Sequence, residues 1–309
     1  MGVMGWILLI PALLALGLFA TWRYAVATGG VGLLDRVDRM VGGTDGTRVA
    51  LMGGRYGTLA AQRVDVIVPS GPAIARRPVI VFVHGGGWNS GNPGDYHFLG
   101  RTFARAGYVV VLPGYRLVPD GVWPHMLEDT AKAVAWTRDH AATYGGDPDR
   151  VFLMGQSAGA YNTVMVALER QWLGREGVAD HFIKGVVGLS GPYDFLPFTT
   201  PSAKAAFGGV VPPAITQPVR YARGDAPPML LLTGDADETV KPRNTASLAA
   251  ILHAAGSVVE TVVIPGVDHK DTVIKLAQPF LRDRRELDPV LAFLARHGGA
   301  SAPVQTARR

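Results

Sequence analysis

Short apolar runs alternate with amphipathic stretches along most of the 309-residue chain. The runs are nearly continuous rather than apolar at every second position, which is typical of strands buried on both faces of a sheet. Seven such runs occur, at residues 64–68, 79–83, 108–112, 151–154, 186–189, 229–232 and 258–264. Strands that alternate with helices predict an α/β fold, a mostly parallel twisted sheet covered by helices on both faces.

The N-terminal segment is apolar in a different way, because residues 3–22 contain no charged side chain. Twenty residues at a helical rise of ~1.5 Å just span a hydrocarbon core of ~30 Å. We predict that residues 1–27 form either an uncleaved membrane anchor or a secretory signal peptide, cut after the Ala25-Val26-Ala27 pattern. The protein is therefore expected to be membrane-anchored or exported, with a periplasmic or extracellular location favoured and the side of the membrane left open.

The rest of the chain divides by composition. Residues 28–55 are rich in glycine and carry charges of both signs, so we predict a connector there. Residues 56–297 are expected to form one domain, and residues 298–309 a disordered tail. The stretch 195–228 is rich in Pro, Ala and Gly and lies between two predicted strands, which predicts an irregular insertion, either a flexible loop or a short lid over the ligand-binding edge of the sheet.

Composition and motifs exclude several functions. The chain has no cysteine, which excludes a disulfide scaffold, a thiolate zinc site and a cysteine nucleophile. The net charge of +5 comes from scattered basic residues, so no nucleic-acid partner is expected. The sequence contains no H-E-x-x-H, P-loop or EF-hand motif, and we expect neither a metal nor a cofactor. The oligomeric state stays open.

The run at 151–154 leads into Gly155-Gln156-Ser157-Ala158-Gly159, and an apolar stretch that predicts a helix follows. A Gly-x-Ser-x-Gly turn between a strand and a helix holds a serine hydroxyl clear of the backbone, at the positive end of the helix. The glycines are needed because the turn is so sharp that side chains at those positions would collide. Ser157 is therefore predicted to be a nucleophile.

A second glycine motif, His84-Gly85-Gly86-Gly87-Trp88, follows the run at 79–83. Successive glycines allow backbone N–H groups to turn inward, and such donors bind the oxyanion that forms when a carbonyl is attacked. A plain turn or a phosphate loop is the alternative, but the Gly-Lys-Ser/Thr ending of a phosphate loop is missing. His84 itself is predicted to be a structural, hydrogen-bonded residue under this loop rather than a catalytic base.

These two motifs together resemble the esterase and lipase branch of the α/β-hydrolase fold. The first is HGGGW, in which Gly91 completes the pattern His-Gly-Gly-Gly-x-x-x-Gly, and the second is GQSAG. The sequence is most similar to the small carboxylesterases grouped with hormone-sensitive-lipase-like and feruloyl-esterase-like enzymes, over about residues 56–297. The resemblance implies that the N–H groups of Gly86, Gly87 and Ala158 form an oxyanion hole. The stretch 23–55 is too short for the N-terminal helical cap of hormone-sensitive-lipase-like enzymes, so the resemblance does not predict which residues cover the pocket.

The catalytic base follows the serine along the chain in this fold. Three histidines come late enough, but His253 falls within a predicted helix and His297 at the end of another. His269 lies in a loop directly after the run at 258–264, and catalytic residues gather in such loops. We predict that His269 is the base.

For the catalytic acid, Asp194, Asp235 and Asp237 all follow predicted strands, and position alone does not choose among them. The stretch 234–240 is similar to the family pattern Gly-x-x-Asp-x-x-Val, and this resemblance assigns Asp237 as the acid and Asp235 as a loop-shaping residue. Asp194 and Trp88 are weaker candidates for the substrate pocket.

These residues predict a serine hydrolase that cleaves short-to-medium-chain carboxylic esters through an acyl-enzyme, with a small-molecule ester as its partner. An arylformamidase or another amide hydrolase would use the same triad, so that alternative stays open. A non-catalytic binding protein on the same fold is a third possibility, disfavoured because all three triad residues are present. No charged substrate clamp is visible in the sequence, and small apolar acyl groups are therefore expected.

Overall fold

A computed structural model describes residues 17–19, 22, 31–72 and 75–299. Within them, eight strands form one sheet in the order β1-β2-β4-β3-β5-β6-β7-β8. The strands are β1 (Thr47–Arg55), β2 (Arg63–Pro69), β3 (Arg77–Val83), β4 (Val109–Pro113), β5 (Gly146–Gln156), β6 (Ile183–Leu189), β7 (Met229–Gly234) and β8 (Val259–Ile264). β2 runs antiparallel to both β1 and β4, and all other neighbours are parallel. The predicted α/β fold with a mostly parallel sheet is confirmed.

Helices cover both faces of this sheet. They are α1 (Val31–Gly42), α2 (His97–Arg105), α3 (His125–His140), α4 (Ala158–Leu168), α5 (Gln171–Arg175), α6 (Pro201–Phe207), α7 (Arg243–Ala254), α8 (Asp271–Ile274) and α9 (Leu287–His297). In β3, Val79 and Val81 pack with α3, α4 and α7, whereas Ile80 and Phe82 pack with α1, α2 and α9. Successive strand side chains point to opposite faces, which explains why the buried runs are nearly continuously apolar.

The structure corrects the prediction that residues 28–55 form only a connector. Most of this stretch folds as α1 and β1, and β1 is the edge strand of the sheet. On α1, Asp35 and Asp38 are buried and both accept hydrogen bonds from Arg101 of α2. A charged, glycine-rich sequence can therefore be an integral part of the domain when its carboxylates are paired across a long sequence separation.

The stretch 195–228 is folded rather than irregular. It contains α6 and two 3₁₀ segments, Pro213–Thr216 and Pro218–Tyr221. Phe195 and Phe207 contact Trp88 and Tyr161 with ring centroids 4.8–6.2 Å apart, so aromatic packing holds the insertion on the body of the domain.

The predicted anchor or signal peptide at 1–27 lies outside the described residues except for 17–19 and 22, and the predicted tail lies outside them from residue 300. Among the helices that the structure describes, none combines the length and the apolar character that crossing a membrane requires.

Candidate active site

Ser157 lies on a sharp turn between β5 and α4, with φ 53° and ψ −120°. This left-handed conformation is rare for a residue with a side chain, and such strain is concentrated at functional sites. A Cβ atom on Gly159 would collide with the carbonyl oxygens of Val83 and His84, and one on Gly155 with the backbone of Gly159. The two glycines of the motif are therefore required sterically, as the sequence predicts.

The structure brings Ser157, His269 and Asp237 together. His269 Nε2 is 2.8 Å from Ser157 Oγ, and His269 Nδ1 is 2.8 Å from Asp237 Oδ2. Because a carboxylate can only accept a hydrogen bond, Nδ1 carries the hydrogen and Nε2 is left to accept the serine hydroxyl. Asp237 is 2 % exposed and His269 is 9 % exposed, so the hydrogen bond between these two side chains is largely shielded from water.

The loop after β7 fixes the carboxylate of Asp237. Its Oδ1 accepts the N–H groups of Thr239 at 3.0 Å and Val240 at 2.8 Å, while Oδ2 faces His269. These hydrogen bonds hold the carboxylate in a single orientation. His269 is held from its other side, because the Gln156 side chain donates to its carbonyl oxygen at 3.3 Å.

The other candidate acids and bases lie elsewhere. Asp235 is exposed and accepts the Gly266 N–H at 2.7 Å, which is a loop-shaping contact. His253 is exposed on α7, and His297 lies 4.0 Å from Glu260.

The prediction that Asp194 lines the substrate pocket needs correction. Its carboxylate accepts the hydroxyl of Ser247 on α7 at 2.6 Å, at an exposed position, and it is not part of the cavity wall formed by the described residues. The Asn244 side chain accepts the N–H of both Tyr193 and Asp194 at 3.0 Å, which fixes the backbone there. Because Asp194 follows a strand, the sequence correctly predicted that it lies at the ligand-binding edge of the sheet. The sequence did not predict where its side chain points.

The loop after β3 lies against the serine. Gly86 and Gly87 have φ of 113° and 59°, values that favour glycine, and a Cβ on Gly85 would come within 3.2 Å of the Ser157 Cβ. Ala158 is the first residue of α4, so its N–H has no acceptor within the helix. Of the three residues predicted for an oxyanion hole, Ala158 follows Ser157 in the chain, and Gly86 and Gly87 line the same cavity as Ser157.

His84 is buried beneath this loop. Its Nδ1 is 2.8 Å from the Gly85 carbonyl oxygen, and its ring stacks on Tyr115 with centroids 4.6 Å apart. Burial lowers the pKa of His84 to about 4, so the ring is neutral near neutral pH. These contacts agree with the predicted structural role.

A cavity of about 610 Å³ opens over Ser157 and His269. Trp88 lines it and is fixed by a hydrogen bond of 3.2 Å from its Nε1 to the Asn162 side chain. Phe195 and Pro197 of the insertion line it as well, so the insertion supplies part of the apolar wall. Among the described residues, no three His, Asp or Glu side chains are grouped as ligands of a metal ion.

The model of the BD-FAE family matches residues 64–252. The chain is 35% identical over 147 residues to a probable isoprenylcysteine alpha-carbonyl methylesterase, ICMEL1, of Oryza sativa, a match that covers 46% of this chain and 34% of that protein. It is 29% identical over 238 residues to Esterase LipQ of Mycobacterium tuberculosis, covering 70% of this chain and 55% of that protein. The chain thus spans only a third to about half of the length of these relatives.

Solved structures share the architecture. Esterase B from Lactobacillus rhamnosis superimposes with a TM-score of 0.70 at 20% identity, covering 91% of this chain and 96% of that chain. Thermogutta terrifontis esterase 2 gives a TM-score of 0.68 at 22% identity, covering 84% of this chain and 97% of that chain. At these identities the likeness establishes the fold. Because the family model matches more than half of the sequence, the chain belongs to the BD-FAE family, within the α/β-hydrolase fold.

Proposed function

We propose that this protein is a serine hydrolase that cleaves carboxylic esters through an acyl-enzyme. The observation that carries the proposal is the pair of 2.8 Å contacts that link Ser157 to His269 and His269 to Asp237 beside a cavity. The names of the relatives, a methylesterase and an esterase, favour ester substrates over amides.

In this mechanism His269 Nε2 accepts the hydroxyl proton while Ser157 Oγ attacks the ester carbonyl. Asp237 keeps the imidazole in the required tautomer and stabilises the imidazolium that forms. The N–H groups of Gly86, Gly87 and Ala158 donate to the oxyanion of the tetrahedral intermediate.

The intermediate then collapses and the C–O bond to the alcohol breaks. The imidazolium of His269 returns its proton to the departing alkoxide, which leaves an ester between the acyl group and Ser157 Oγ. A water molecule gives a proton to His269 and attacks this acyl-enzyme on the same face. In the second tetrahedral intermediate the bond between the acyl carbon and Ser157 Oγ breaks, the imidazolium of His269 returns its proton to Oγ, and the acid departs.

The wall of the cavity favours acyl chains of short to medium length. Trp88, Phe195 and Pro197 provide apolar surface, and each buried CH₂ contributes ~0.8 kcal/mol while the cavity still encloses it. Along a series of para-nitrophenyl esters, we expect kcat/KM to rise from acetate to butyrate or hexanoate and to fall steeply by dodecanoate. A panel of these esters up to palmitate, run beside N-formylkynurenine, measures this preference.

Two outcomes of this panel would overturn parts of the proposal. A profile that still rises at palmitate, with activation at a lipid interface, would indicate a lipase with a deep acyl site. Faster hydrolysis of N-formylkynurenine than of every ester would indicate an amide hydrolase that uses the same three residues.

We also propose that residues 1–27 attach the protein to a membrane or direct its export. The support is the uncharged run at 3–22. In cell fractionation the full chain should appear with the membranes or outside the cytoplasm, whereas a chain that begins at residue 28 should stay soluble and hydrolyse para-nitrophenyl butyrate. An unprocessed full chain in the soluble cytoplasmic fraction would contradict this proposal.

A further inference from the structure

Charged side chains line the cavity, although the sequence pattern shows no charged clamp. Among the described residues there are five, namely Asp95, Glu238, Lys241, Arg243 and Lys270. Three are cations and two are acids, so the lining carries one excess positive charge.

The cations lie on one side of the nucleophile. Lys241 and Arg243 follow β7, Lys270 follows β8, and Ser157 follows β5. Asp95 follows β3, which lies on the other side of β5 and three strand positions from β7. At ~4.8 Å between neighbouring strands, the ends of β3 and β7 are roughly 14 Å apart. Asp95 therefore comes from a loop on the opposite side of β5 from the loops that carry the cations.

Arg243 is the cation best placed to bind a ligand. It is exposed at the start of α7 and lines the cavity, and no carboxylate in the described part of the chain lies within ion-pair distance of its guanidinium. Arg101, by contrast, is occupied by Asp35 and Asp38. A free guanidinium presents a planar set of donors that matches both oxygens of a carboxylate.

Lys241 adds to the positive potential beside Arg243. Its Nζ is 3.8 Å from Glu238 Oε2, and the two side chains are 64% and 88% exposed. An ion pair this long and this exposed contributes little, so Glu238 does not neutralise the site effectively.

We propose that Arg243, supported by the charges of Lys241 and Lys270, binds a carboxylate carried by the substrate. The preferred substrate is then an ester with a second, ionised carboxyl group on the side of Ser157 towards β7 and β8. This inference rests on the proposed esterase function and assigns Arg243 as a specificity-determining residue.

The first test places the carboxylate on the acyl half. The mono-para-nitrophenyl ester of adipic acid and para-nitrophenyl hexanoate have acyl chains of equal length. The adipate chain ends in a carboxylate, whereas the hexanoate chain ends in a methyl group. In Arg243→Gln we expect kcat/KM to fall about tenfold for the adipate ester and to change less than about twofold for the hexanoate ester. Arg282→Gln removes one exposed arginine that does not line the cavity, and it should change neither rate constant.

The second test places the carboxylate on the alcohol half, with meta-carboxyphenyl butyrate compared with meta-carbamoylphenyl butyrate in the same variants. A selective loss in either test supports the inference and identifies the half of the substrate that Arg243 binds. Added salt should reduce the selectivity of the unaltered protein, because the contact is ionic and partly exposed.

If Arg243→Gln does not selectively lower kcat/KM for either anionic ester, while the neutral esters are hydrolysed normally, the inference about Arg243 is wrong and the esterase proposal stands. If the unaltered protein hydrolyses none of the four esters, the esterase proposal itself fails. The neutral esters therefore separate the two failures.

Discussion

Replacing Ser157 by alanine is expected to lower kcat for para-nitrophenyl butyrate by about four to six orders of magnitude. The substitution removes the nucleophilic oxygen that forms the acyl-enzyme, which His269 activates through the 2.8 Å contact of its Nε2 with Ser157 Oγ. The fold should be retained, because alanine adopts the backbone conformation of this turn about as readily as serine and introduces no larger group. Steady-state kinetics and thermal unfolding of both proteins measure the two effects.

Labelling with a fluorophosphonate provides an independent readout of the same residue. The unaltered protein should bind the reagent covalently at Ser157, and Ser157→Ala should not. A non-catalytic binding protein with this fold would leave the reagent unreacted in both cases. Activity of Ser157→Ala within about tenfold of the unaltered protein would remove Ser157 from the mechanism.

Strands β2–β7 could be predicted because their central residues are buried on both faces and are therefore nearly continuously apolar, and the edge strand β8 could be predicted because five of its six residues are β-branched. β1 could not, since it is an edge strand in which only one of nine residues is buried, with two irregularities in its pairing with β2 and two glycines. Its position depends on contacts from elsewhere, such as the hydrogen bond of 2.6 Å from the Gly53 N–H to Asp65. Sequence patterns predict elements whose side chains are buried, and they predict poorly the elements that are held by long-range polar contacts.

The same distinction applies to the candidate site. Ser157 and the glycines around it were predictable because local sterics dictate them. Arg243 was not singled out, although Lys241 and Arg243 follow closely after the predicted acid and could have suggested a cationic wall. Recognising that wall required the order of the strands, which places the loops after β7 and β8 on one side of the serine.

Replacing Asp237 by asparagine is expected to lower kcat by about 10⁴-fold. If the asparagine oxygen keeps the N–H groups of Thr239 and Val240, its NH₂ group faces His269 Nδ1. The imidazole must then present a lone pair at Nδ1 and carry its hydrogen on Nε2, so it cannot take the proton of Ser157. The rate of para-nitrophenyl butyrate hydrolysis measures this loss.

Asp235→Asn is the matched control, because it makes the same chemical change two residues away in the same loop. The asparagine oxygen can still accept the Gly266 N–H that Asp235 accepts at 2.7 Å, and the position is exposed. We expect kcat to change less than about tenfold in this variant. If Asp235→Asn were instead the more damaging substitution, the role of catalytic acid would pass to Asp235, and the contact between Asp237 and His269 would be structural.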